Sequence, residues 1–85
     1  MTAVQLELFD ELVRQLHADG LSSAAASVSD VRNVAWSSSS EMMGELGIAV
    51  LKIQAETPAP SRALQEVLGR CMAEVRKIWP DMELP

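Results

Sequence analysis

Apolar positions recur along this chain at intervals of three and four. Leu6, Phe9, Leu12/Val13 and Leu16 follow the i, i+3, i+4, i+7 spacing that puts side chains on one face of a helix. Thr2 and Gln5 have the spacing of a capping box. Gly20 can take the left-handed backbone that ends a helix, with Leu21 folding back on Leu16 in a Schellman motif. The pattern predicts a first helix over 3–19.

From Ser22 to Ser40 the signal weakens. Ala24, Val28, Val31 and Ala35 keep helical spacing but are small. Serine and valine also lower helix propensity relative to alanine. A strand over 28–36 would have no second strand to satisfy its backbone, so a shorter helix over 23–35 is expected. Ser37 to Ser40 read as a hinge, with Ser38 and Glu41 at capping-box spacing.

A third helix is expected over 39–56. Met42, Met43, Leu46, Ile48, Ala49, Val50, Leu51 and Ile53 make it apolar over more than half its circumference, so it has to be covered nearly all round. It is either the central helix or is covered partly by a second chain. Thr57-Pro58-Ala59-Pro60 interrupts the chain, since proline disfavours helix at the residue before it and is welcome in a first turn. A fourth helix is expected over 60–79, striped by Leu64, Val67/Leu68, Cys71, Val75 and Ile78/Trp79. Glu66 and Arg70 form a favourable i, i+4 pair, and Arg76 and Lys77 suit the negative end of the helix dipole. The fold class is therefore all-α. It is a small bundle of three long helices and a shorter one in a single domain over 1–80, followed by a frayed tail over 81–85.

Composition narrows the function. At 85 residues the chain makes one domain with a thin margin of stability, which a partner subunit often widens. Its net charge of −5 argues against nucleic-acid binding, which needs clustered Lys and Arg. No apolar run approaches the ~20 residues that span a bilayer. One cysteine and no apparent signal peptide suit a cytoplasmic setting. The charge also divides. Residues 1–21 are acidic, through Glu7, Asp10, Glu11 and Asp19 against Arg14, whereas residues 57–80 are basic, through Arg62, Arg70, Arg76 and Lys77 against Glu66 and Glu74. The first and last helices are expected as neighbours in one bundle, or else as partners across a dimer.

Catalytic equipment is sparse. Cys71, between Leu68 and Val75 on an apolar stripe, reads as a buried small hydrophobe. His17, in the last turn of the first helix, suits the dipole. His17 and Asp19 supply too few ligands for zinc. Carboxylates on polar helix faces lack the dry pocket that raises a catalytic pKa. No enzyme activity, cofactor or metal is expected. Gly44, Gly47 and Gly69 each cost roughly 1 kcal/mol inside a helix relative to alanine; Gly44 and Gly47, on one side of the third helix, point to close backbone approach by another helix, with a local kink as the alternative. Trp36 and Trp79 are candidate interface anchors, joined by Met42, Met43, Gly44, Gly47, Val50 and Leu51. The expected role is protein–protein association, including self-association as a dimer. The alternatives are an acidic, stoichiometric inhibitor of a basic partner (immunity- or antitoxin-like) and a small module binding an apolar ligand in the bundle.

Overall fold

The computed structural model describes residues 3–34 and 38–83. They form four helices: α1 (Ala3–Ala18), α2 (Ser22–Asn33), α3 (Ser39–Glu56) and α4 (Arg62–Ile78). Thr2, the expected cap of α1, lies outside the described residues. So does Ala35, the expected end of α2.

The apolar stripes decide how these helices assemble. α1 packs on α2 and α4, and α3 packs on the same two, so α1 and α3 sit diagonally across the bundle. Phe9, Leu12 and Leu16 of α1 meet Ala25 and Val28 of α2, Met43, Leu46 and Val50 of α3, and Leu64, Leu68, Cys71 and Val75 of α4 in one core. The radius of gyration, 11.7 Å, is close to the ~12 Å of a compact chain of this length. α2 brings only Ala25 and Val28 into full burial. Ser22, Ser23 and Ser27 are exposed, and the Ser27 hydroxyl donates to the Ser23 carbonyl one turn back (3.1 Å), a bond local to the helix that adds nothing to its packing.

The ends of the helices follow from their caps. After α1, Gly20 takes φ +76°. The Gly20 amide donates to the His17 carbonyl and the Leu21 amide to the Leu16 carbonyl, which is the paired bonding of a Schellman motif. Leu21 then packs against the core. α2 starts one residue earlier than expected, with Leu21 at its N-cap and no side-chain cap. α3 is capped as expected, the Glu41 amide donating to Ser38 Oγ (3.2 Å).

α4 starts at Arg62 and not at Pro60. Ser61 is its cap, accepting from the Leu64 amide (3.1 Å). The same serine is bound to the end of α1: its amide and its hydroxyl both donate to the Asp19 carboxylate, at 3.2 and 3.0 Å. Gln15 also donates to Asp19. These bonds, the Ser61 hydroxyl foremost, hold the Asp19 carboxyl below the usual carboxylate value. A depressed folded pKa means that this contribution is fully present above the unfolded value of 3.8 and is lost as pH falls through the folded pKa. Asp19→Ala is therefore expected to lose stability at neutral pH and to show a flatter decline in melting temperature below about pH 4 than the parent chain. Thermal melts across that acid range measure the difference.

Charge follows the expected neighbourhood of α1 and α4, with different partners. Arg70 reaches across to Glu11 of α1 and not along its own helix to Glu66, which sits 3.9 Å from Arg62 instead. Arg32 of α2 lies 2.9 Å from Asp10. Asp10 and Glu11 of α1 are thus answered inside one chain. These exposed pairs contribute about 0–1 kcal/mol each, enough to favour a register and too little to drive folding.

Candidate functional site

α3 is the helix whose coverage the sequence left open. Its inward face, Met43, Leu46, Gly47, Val50 and Ile53, is buried within the chain. Among the candidate interface residues, Met43, Gly47 and Val50 are therefore core residues, with no side-chain surface left to offer a partner. Met42 and Leu51 are half-buried and pack against the same core. Gly44 is half-buried and Trp79 is 43% exposed. Trp36 lies outside the described residues.

What closes over α3 is the end of α4 and the segment beyond it. The Trp79 indole N–H donates to the Ser40 carbonyl (2.8 Å). This bond brings the ring across Gly44, where an added Cβ would sit 3.3 Å from the indole nitrogen. The Met82 amide bonds the Trp79 carbonyl (3.1 Å), and that turn sets Met82 against Gly47. A Cβ there would lie 2.7 Å from Val75 Cγ1 and 3.1 Å from Met82 Cγ. The residues from Asp81, expected as a frayed tail, thus supply Met82 to the edge of the core. The two glycines are explained by close approach, though by side chains and not by a helix backbone. Gly69 differs, with nothing within 4 Å of where its Cβ would be. Gly69→Ala is expected to raise stability by up to ~1 kcal/mol through helix propensity, read as a higher urea midpoint at unchanged slope.

The outer face of α3 carries the open features. One depression of about 470 Å³ is lined by Glu41, Gly44, Glu45, Ile48, Trp79 and Met82. A second, of about 340 Å³, lies between α2 and α3 and includes Ala24, Val31, Glu45, Ile48, Ala49 and Lys52. The two share Glu45 and Ile48. Ile48 is half-buried yet does not join the partly buried residues that pack on the core. Periodicity marked Ile48 as apolar without showing that it points away from the bundle. Its spacing to Glu41, Glu45 and Lys52, all exposed, was the available signal. The other large exposed apolar residues, Val4, Leu6 and Val34, are scattered and call for no special account.

Chemistry is thin in the rest of the described structure. Burial pushes the Cys71 thiol up to about 12, so it stays protonated and is a poor nucleophile. His17 is exposed in the last turn of α1. Among the described residues no three of His, Cys, Asp and Glu gather as a metal-ligand group, and no helix is long and apolar enough to cross a membrane. No protein-family model, curated protein or solved structure matches this chain.

Proposed function

We propose that this protein acts by non-enzymatic protein–protein association and that it self-associates as a dimer. The observation that supports this most is the outer face of α3. Ile48 stands there between two open depressions, with the exposed Trp79 ring and Met82 at the margin. An apolar side chain left off the core, beside a large aromatic, is the makeup of an interface centre. A second copy also relieves the thin stability margin of a core this small. A reducing, cytoplasmic setting suits a chain whose single thiol is buried. Sedimentation equilibrium tests the reading: the mass is expected to double with concentration, and the melting temperature to rise with it. A monomer throughout the micromolar range defeats it.

A basic protein partner is the second reading. It is favoured by the excess of carboxylates, Glu41, Glu45 and Glu56, over Lys52 along the same face. Electrostatic attraction would then speed association and make it steeply salt-dependent.

A further inference from the structure

The charges on the outer face of α3 suit a second copy of the same helix. Its outward stripe carries Glu41, Glu45, Ile48, Lys52, Ala55 and Glu56. Reversing the helix about the point between residues 48 and 49 exchanges Glu45 with Lys52 and Glu41 with Glu56. A second α3 laid antiparallel about that point would bring Glu45 opposite Lys52 of the second copy, and Lys52 opposite Glu45 of the second copy. Ile48, beside the two-fold, would meet Ile48 of the second copy, one apolar side chain against another. This reciprocity is what an isologous two-fold interface requires.

We propose that α3 pairs with α3 of a second copy in this antiparallel register, with two reciprocal Glu45–Lys52 contacts flanking Ile48. The inference rests on the dimer reading above and names its surface. Charge favours a second copy over a basic helix. Lys52 sits in the middle of the stripe, where a basic partner would set a cation against it and an antiparallel copy sets a carboxylate. The like-charged Glu41 and Glu56 meet only at the ends, roughly 11 Å either side of the two-fold. A crossing near 50°, the commonest class in globular packing, carries them apart. The open depressions beside Ile48 leave room for the flanks of the incoming helix.

Charge exchange tests the register. Glu45→Lys and Lys52→Glu are each expected to weaken the dimer roughly ten-fold, because the two-fold repeats every change, and the double exchange is expected to restore it. Ile48→Glu is expected to leave a monomer whose far-ultraviolet circular dichroism is that of the parent chain. Glu7→Lys, which makes the same charge change on the exposed side of α1, is expected to leave the dimer unchanged. If the parent chain is monomeric, the dimer reading and this register fail together. Binding of a lysine-rich amphipathic helical peptide by that monomer would assign the face to a basic partner. If the parent chain dimerises but the single exchanges change nothing, or the double exchange does not restore affinity, the register fails and the dimer stands on another surface.

Discussion

Phe9→Ala is expected to remove about 3–5 kcal/mol of stability, the usual cost of deleting a buried phenylalanine. Phe9 is the chain's only phenylalanine and is fully buried. It lies on α1, which packs on both α2 and α4. Its ring is one of the largest fully buried side chains in the core. Truncation forfeits its transfer from water and leaves a void that rigid neighbours close only in part. Domains are stable by only about 5–15 kcal/mol in total, so the variant is expected to sit near its unfolding threshold at ambient temperature. Urea titration with circular dichroism checks this: the midpoint should fall sharply while the slope holds. A loss below about 1 kcal/mol would mean that the four helices collapse onto the gap, and that the core is less rigid than its burial implies.

The second large effect is overpacking. Gly47→Val is expected to cost about 1–3 kcal/mol, despite the small gain from removing a helical glycine. The first new carbon already lies 2.7 Å from Val75 Cγ1 and 3.1 Å from Met82 Cγ. Met82 is half-buried at the end of a short turn and can move aside. Val75 is fully buried on α4 and is stiff at χ1, so α3 and α4 have to part. The comparison with Gly69→Ala is decisive because the two glycines look alike in sequence and should respond with opposite sign. Both melts are needed: a Gly47→Val protein as stable as the parent would show that α4 and the following turn are not seated on α3 as described.

Local signals carried much of the fold. Gly20 and Leu21 announced the end of α1 because a Schellman motif uses only residues within one turn. Ser38 did the same for the start of α3. The start of α4 was misplaced although its signal is as local as that of α3. Pro60 satisfies the first-turn preference, but the residue that decides is Ser61, which caps the Leu64 amide as Ser38 caps that of Glu41 and is held in addition by Asp19, 42 positions away. The α1–α4 charge complementarity was legible as a neighbourhood, whereas the choice of Glu11 over Glu66 by Arg70 depends on helix rotation, which spacing does not give. On α3 the periodicity identified the apolar residues without saying which were already covered. Coverage of Gly44 and Gly47 came from Trp79 and Met82 turning back over them, a contact between segments that neither segment encodes alone. Three proposed interface residues, Met43, Gly47 and Val50, lie on the inward face of α3, and Ile48, passed over as one apolar residue among many, became the centre of the open face.

Cys71 has a use that follows from its inertness. It is the only thiol in the chain, fully buried where α4 meets the rest of the core, and burial holds it protonated. A thiol reagent in solution reaches it only when the bundle opens. The labelling rate is then the intrinsic thiolate rate multiplied by the population of the open form, provided reclosing outpaces reaction. The protein thus carries its own gauge of opening, with no dye or isotope added. Read across protein concentration, that gauge reports directly whether the open form is suppressed by a second copy.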